Sequence, residues 1–370
     1  MPSKQLSSLE LHFVLKELKE LEGSRIDKIR QPEKNTLIIV FYKSNAGKST
    51  LHISVGKSIF LAQEKESGHE TLGFGMFLRR HIDGRFLESI EQIKPERIIR
   101  LTFGSKKEKL HLFLEFFGGG NAILCSEDGM IMDSLQKHEF KDRTISPKTK
   151  YKNPKTKYNL YGLELDDLFD LLKNSGKNNI VTCLAVELGL GGTYAEEICL
   201  QEGIGKEKGP KTLGASEISS IFSSIKKLLS RKIQAQAVLE NQAPIDAVPF
   251  PLKYYENLIS RNFESFSQSL EFLHINQKQA SESEIDKRIR GLNRIIGEQQ
   301  LAIEILKQEE IDLRSKGEII YHKYALVKGT MEQITKASSK LSWNQIKEKL
   351  ASHAFIKKID ERFKIIEIEL

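Results

Sequence analysis

A glutamate and an arginine stand side by side in QIKPERIIRLTFG (92–104), between a proline and a run of strand-forming residues. Glu96–Arg97 reads either as the polar rim of a strand or as a binding pair. Strand alternation puts Arg97 on the face of Ile99, Leu101 and Phe103 and sends Glu96 to the other side. Neighbours on a strand do not readily pair with each other, so each is expected to find a separate partner. CLAVELGLGGTYAEEICLQEGI (183–204) is a second candidate, read as helix, glycine-rich hairpin, helix. A tight turn at Gly189, Gly191 and Gly192 would aim backbone N–H groups outward at a helix N-terminus, which suits a phosphate. Plain helix–helix packing uses the same turn. Residues 137–158, KHEFKDRTISPKTKYKNPKTKY, hold eight Lys/Arg against two acids. That segment, with Lys148 and Lys150 in it, reads as a solvated linker or as a contact to phosphates.

Other patterns are set aside. AGKST (46–50) lacks the upstream glycine of a phosphate-binding loop. FFGGGN (116–121) reads as a strand-to-strand turn, since its glycines open no helix. Met-Pro starts DNA glycosylases of the MutM type, in which Pro2 would be the nucleophile, yet Ser-Lys-Gln follows in place of an acid. The nine histidines and three cysteines (Cys125, Cys183, Cys199) have no metal-ligand spacing. Neither a metal nor a cofactor is expected.

The elements that must position these residues follow from periodicity. A helix capped by Ser7 or Ser8 carries Leu11, Val14, Leu15, Leu18 and Leu21 and stops at Gly23. Strands are expected at 35–42, 51–55 and 57–62, a helix at 73–84, and a meander at 97–103, 109–117, 121–126 and 130–135, with Asp128–Gly129 as a hairpin signal. Short helices fill 163–235, and 241–251 reads as a linker. Beyond it Ile285, Ile289, Leu292, Ile296, Ile303, Leu306, Leu313, Ile320, Tyr324, Val327, Met331 and Ile334 recur in steps of four and three. That heptad seam is interrupted at Gln299, Glu310 and Gly317. No second run of equal length answers it, so the returning helix is expected beyond the chain, and self-association through the seam is expected of this length of chain.

The 370 residues are too many for one ordinary core, and the net charge of +7 fits a polyanion partner, nucleic acid or an anionic membrane surface, and equally a merely basic soluble protein. Scattered, odd-numbered cysteines fit a reducing cytoplasm. The N-terminal stretch is amphipathic and unlike a signal peptide, and no 18-residue apolar run is present.

Six segments resemble, in order, successive blocks of the NEMF/RqcH family of NFACT proteins, long labelled fibronectin-binding-protein-A-like. They are LSSLELHFVLKELKELEGSRIDKIRQPEKNTLIIVFY, GFGMFLRRHIDGRFLESIEQIKPERIIRLTF, LFLEFFGGGNAILCSEDGMIMDSL, RTISPKTKYKNP, LGLGGTYAEEICLQEGI and GEIIYHKYALV. The resemblance covers essentially the whole chain and points to a prokaryotic, archaeal-type member. It implies an α+β multidomain protein: an antiparallel β-rich N-terminal domain related to the MutM N-terminal fold (1–160), a helix-hairpin-helix domain (161–250), a coiled-coil arm (251–340) and the start of the middle-domain tip (341–370). The family's C-terminal domain would lie outside the chain.

The resemblance further implies a factor of ribosome-associated quality control. It would bind the large ribosomal subunit carrying stalled peptidyl-tRNA and recruit charged tRNA, alanine tRNA in prokaryotic members, for template-independent C-terminal tailing. The ribosome would make the bond, so the chain is not expected to be an enzyme. Two family motifs map here: an acidic residue in the first helix, at Glu10, and an Asp–Arg pair, at Glu96–Arg97. Both carboxylates are one methylene longer than the family's Asp. Arg provides a planar fork for phosphate or a base edge, and a carboxylate accepts from an amino group or a 2′-hydroxyl. Arg79 and Arg80 would extend the basic surface. Alternatively Glu10 and Glu96 only hold Arg79, Arg80 or Arg97 in salt bridges. The rival functions are a DNA-binding or repair protein of MutM-like ancestry and a fibronectin-binding surface adhesin.

Overall fold

The computed structural model describes residues 4–63, 71–104, 108–139, 143–154, 157–350, 355–360, 362–363 and 365–369. Pro2 lies outside the described residues. The chain divides into two compact units, 1–281 and 282–370.

The first unit begins with a capping box. Ser7 Oγ accepts the Glu10 N–H (3.2 Å), and the Glu10 carboxylate accepts the Ser7 N–H (2.8 Å). Helix α1 (Ser8–Leu18) follows, and Gly23 turns the chain at φ 81°. Leu9, Leu11, Phe13, Val14 and Leu18 of α1 are all fully buried. A helix apolar on most sides is a core helix, and α1 touches both β4 (Ser58–Ala62) and β5 (Phe86–Gln92).

Strands β1 (Arg25–Glu33), β2 (Thr36–Lys43), β3 (Gly47–Ser54), β4, β5, β6 (Ile98–Gly104), β7 (Lys109–Glu115), β8 (Asn121–Ser126) and β9 (Ile131–Ser134) form one sheet in the order β4-β3-β2-β1-β5-β6-β7-β8-β9. All pairs are antiparallel. Strands β1 and β5 escaped the periodicity reading because charged residues interrupt their alternation; only Ile26, Ile29 and Gln31 of β1 are buried. Helix α2 (Gly73–Ile82) packs on β1. The β3–β4 and β7–β8 turns meet backbone to backbone: a Cβ on Gly120 would stand 2.3 Å from Gly56 Cα. The glycines of FFGGGN thus permit a close approach of distant turns.

A small hairpin, β10 (His138–Glu139) and β11 (Thr144–Ile145), leads into a docked segment. Thr149 O accepts the Ile131 N–H (2.8 Å), and the Lys148 N–H donates to Ile131 O (2.9 Å). Buried Glu115 takes two bonds from Arg143 (2.6 and 3.0 Å) and one from Tyr151 Oη (2.9 Å). Residues 143–151 are therefore fixed on the sheet, contrary to the expectation of a free linker, because one buried carboxylate needs all three donors.

Helices α3 (Leu165–Asn174), α4 (Ile180–Thr182), α5 (Gly192–Gln201) and α6 (Ala215–Ser230) add their apolar faces to the same core. Residues 241–251 are not a linker, since β13 (Ala243–Val248) pairs with β12 (Gln236–Glu240) around a turn with φ 49° and 67° at Asn241 and Gln242. Strand β14 (Ile259–Asn262) completes that sheet. Helix α7 (Phe266–His322) starts where Glu17 accepts the N–H groups of Phe266 (2.6 Å) and Ser267 (2.8 Å).

The second unit holds residues of α7 from 282 onward, α8 (Tyr324–Ser338), α9 (Trp343–Leu350) and a hairpin of β15 (Ile356–Asp360) with β16 (Ile365–Ile368). Ile285, Ile289, Leu292, Ile296, Ile303, Leu306, Leu313 and Ile320 are all exposed, and Leu313 is the most open of them at 66%.

Candidate nucleic-acid interface

The expected residues sort by place. A cleft of about 670 Å³ in the first unit is lined by Glu10, Glu96, Arg97, Gly189, Gly191 and Gly192, together with Lys4, Phe117, Tyr158, Val186, Tyr194 and Asp246. Arg79, Arg80, Lys148 and Lys150 do not line it. Arg79 donates to Ile29 O (2.7 Å) and Thr71 Oγ1 (2.5 Å), which ties it to its own neighbourhood. Lys148 and Lys150 are exposed on the docked segment.

Glu96 and Arg97 do not extend a strand. Strand β6 starts at Ile98, and 94–97 form a turn closed by Ile93 N–H to Ile98 O (2.9 Å). The turn overrides alternation, so both side chains face one cleft instead of opposite sides. Among the described residues the Arg97 guanidinium makes no hydrogen bond or ion pair. Burial lowers its pKa, against the opposing pull of Glu96 and Glu10. A guanidinium half out of water, with Glu96 and Glu10 acting on it only through charge, keeps its planar fork of donors for an anion or a base edge.

Glu10 is 3% exposed and its bonds are internal. Its carboxylate accepts Lys4 Nζ (2.5 Å), Tyr194 Oη (3.1 Å) and the Ser7 N–H. The salt-bridge partner is thus Lys4, and neither Arg79, Arg80 nor Arg97. Lys4 also bonds Asp246 and donates to Ala247 O (2.5 Å), while Tyr255 Oη donates to Asp246 (2.6 Å). Burial pulls the Lys4 pKa down, but Asp246 and Glu10 outweigh it and the net shift is upward. Burial, then Glu10 and Asp246, raises Tyr194 well above an ordinary phenol. A lysine before the first helix and an aspartate on β13 carried no periodic signal, so Lys4 and Asp246 were invisible in the sequence.

The glycine turn forms the facing wall. Gly191 (φ 89°) precedes α5, whose N-terminus carries no side-chain cap. Leu190 and Gly191 spend their N–H groups on Leu184 O and Ala185 O (both 3.2 Å). The first-turn N–H groups of α5, from Gly192 to Tyr194, remain for an anion. Together the walls offer a guanidinium, helix N–H donors and the rings of Phe117 and Tyr158, a set suited to phosphate, base edge and base face.

The family described as NFACT N-terminal and middle domains matches residues 7–357. The chain belongs to the NFACT family. An archaeal Rqc2 homolog, aRqcH of Methanocaldococcus jannaschii, is 29% identical over 93% of this chain and 54% of its own length. Human ribosome quality control complex subunit NEMF is 22% identical over 92% of this chain and 35% of its own length. This NFACT chain therefore spans about half, or less, of those relatives. Among solved structures, a fibrinogen binding protein from Staphylococcus aureus superposes with a TM-score of 0.61 at 20% identity, covering 72% of this chain and 97% of its own. The N-terminal part of a fibronectin/fibrinogen-binding protein from Streptococcus suis gives 0.58 at 23%, covering 73% and 98%. At these identities the likeness is one of fold: a large antiparallel β-rich N-terminal domain with helices. Among the described residues no helix is long and apolar enough to cross a membrane.

Proposed function

We propose that the chain is the N-terminal and middle part of a cytoplasmic ribosome-associated quality-control factor. It binds the large ribosomal subunit with stalled peptidyl-tRNA and recruits charged tRNA for template-independent tailing, with the ribosome as catalyst. The observation that carries this reading is Arg97, a half-buried guanidinium with no hydrogen bond or ion pair among the described residues, in a cleft walled by a helix N-terminus and two aromatic rings. Relatives named as ribosome quality control subunits supply the macromolecular context.

Within this reading Arg97 contacts tRNA, with Glu96 beside it, and Gly189, Gly191 and Gly192 shape the phosphate-facing wall of a helix-hairpin-helix module. Glu10 shapes the cleft from beneath, through Lys4 and Tyr194. Lys148, Lys150, Arg79 and Arg80 add long-range attraction from outside the cleft. The exposed seam of α7 acts as one strand of a coiled coil, and the relation to the MutM N-terminal fold is one of ancestry.

Co-sedimentation of the full-length protein with ribosomes, followed by sequencing of the bound RNA, tests the reading. Alanine tRNA enriched on free large subunits is expected; the absence of any tRNA would overturn it. A covalent adduct with abasic DNA after borohydride reduction would instead support the DNA-repair reading.

A further inference from the structure

Arg97 combines a side chain that makes no hydrogen bond or ion pair among the described residues with a backbone held on every side. In the turn that carries it, the Pro95 carbonyl accepts Ser8 Oγ (2.7 Å) and the Glu96 carbonyl accepts Gln92 Nε2 (3.0 Å). The Arg97 carbonyl accepts the Phe116 N–H, and Ile93 O accepts the Glu96 N–H (both 2.8 Å). The two side-chain donors are themselves locked. Gln92 Nε2 also reaches Ser8 O (3.1 Å) and Ser8 Oγ (2.9 Å). Tyr161 Oη donates to Ser8 O (2.6 Å) and lies 3.0 Å from Ser8 Oγ and 3.4 Å from Gln92 Oε1. Ser8 is 1% exposed and Gln92 7%. Lys94 covers the Tyr161 ring from 4.4 Å.

Three chain segments thus converge on two carbonyls: the first turn of α1, the end of β5, and the short 3-10 turn at Leu160–Gly162. Side chains buried in such a network could stabilise the fold from anywhere. Here they are spent on the two peptide units just before the Arg97 side chain. A binding group gains affinity when its backbone is fixed before the ligand arrives, because ordering is not charged to binding.

We propose that Ser8, Gln92 and Tyr161 are positioning residues that hold the 94–97 turn so that Arg97 is presented to tRNA in a preset geometry. This rests on reading the cleft as a tRNA site. Gln92 and Tyr161 do not line the cleft, and Ser8, which does, is 1% exposed and gives its hydroxyl to Pro95 O, so Ser8 and Gln92 act on the turn and Tyr161 acts through both. The brace also ties the 94–97 turn to Tyr161 of the 3-10 turn at Leu160–Gly162.

The test is a double-mutant cycle in the whole chain, with unfractionated deacylated tRNA as the probe at fixed salt. Gln92→Met and Tyr161→Phe are each combined with Arg97→Ala. Each brace variant is expected to weaken binding on the order of tenfold, the scale of coupling within one hydrogen-bond network. In the Arg97→Ala background neither should weaken it further. Equal loss in both backgrounds, or no loss at all, overturns the proposal.

A second readout needs no tRNA. The rate at which phenylglyoxal modifies Arg97, followed by peptide mass spectrometry, should rise in both brace variants while that of Arg79 stays constant. An unchanged Arg97 rate overturns the brace. If Gln92→Met does not fold, Tyr161→Phe, which removes one oxygen, carries the test. If Arg97→Ala binds tRNA like the wild type, the reading of the cleft fails, and the labelling rates alone decide the brace.

Discussion

Gly191 lies against Ser7, so that a Cβ on Gly191 would stand 2.9 Å from Ser7 Cβ. Ser7 caps α1 and Gly191 precedes α5, so this contact sets how closely two helix N-termini approach beside Arg97. Gly191→Ala meets both a φ of 89° and Ser7, and is expected to cost about 1–3 kcal/mol. Gly189→Ala has a similar φ of 75° but open space, and should cost less. Ser7→Ala loses only a cap, about 1 kcal/mol. Thermal denaturation of the three variants checks the order.

Arg97→Ala should separate binding from folding. The guanidinium makes no hydrogen bond or ion pair among the described residues and its burial disfavours its charge. Its removal is expected to leave the melting temperature unchanged or higher while tRNA retention is lost. Arg97→Lys keeps charge without the planar fork and should rescue only part of the binding. Filter binding alongside calorimetry reads both quantities; a fall in melting temperature matching the loss of binding would count against a contact role.

Lys4 predicts an alkaline limit. Its folded pKa is raised, so its stabilising contribution is complete below the unfolded value of 10.5 and is lost as pH rises through the folded pKa. Tyr194 has the same sign, because burial, Glu10 and Asp246 hold its proton. Stability should therefore fall above about pH 10, and less steeply in Tyr194→Phe. Lys4→Met leaves two carboxylates facing one another without their cation and should cost about 3–5 kcal/mol at neutral pH. Urea titrations from pH 7 to 11 provide the measurement.

His52 predicts an acid limit. It is 3% exposed, stacks on Phe60 at 4.7 Å, and neither ring nitrogen has a hydrogen-bond partner among the described residues. Burial first, then His274 and Lys278, lowers its pKa to about 3. A depressed histidine contributes stability that is present above its unfolded pKa of 6.5 and is lost as pH falls toward 3. His52→Phe should raise stability by about 1 kcal/mol and flatten the pH dependence below 6.5. Melting curves between pH 4 and 8 decide it; an unaltered acid slope would show that His52 is not the titrating group.

The seam of α7 predicts association. Leu306 and Leu313 are 63% and 66% exposed, and such a stripe is costly in water. This length of chain should self-associate in sedimentation velocity, and Leu306→Glu should reduce it. A monomer at high concentration would refute the expectation.

The sequence by itself determined the elements whose signal is local. Ser7 and Gly23 bound the first helix, and Asp128–Gly129 turns β8 into β9. Helix α7 was legible because its apolar spacing repeats within one helix. The family was legible for a different reason, the order of six segments along the chain. Strands β1, β5 and β13 were not, since charged or proline-bearing residues interrupt their alternation and pairing with β2, β6 and β12 makes them strands. The same division runs through the cleft. Sequence placed Glu96 and Arg97 on opposite faces of a strand; Ser8, Gln92 and Tyr161 hold a turn there and bring both to one cleft. The internal partners of Glu10 were likewise set by Lys4, Asp246 and Tyr194, which only the folded chain gathers. Helical and turn propensities act over a few residues, whereas a buried charge takes its partner from whatever the tertiary structure brings within hydrogen-bond reach.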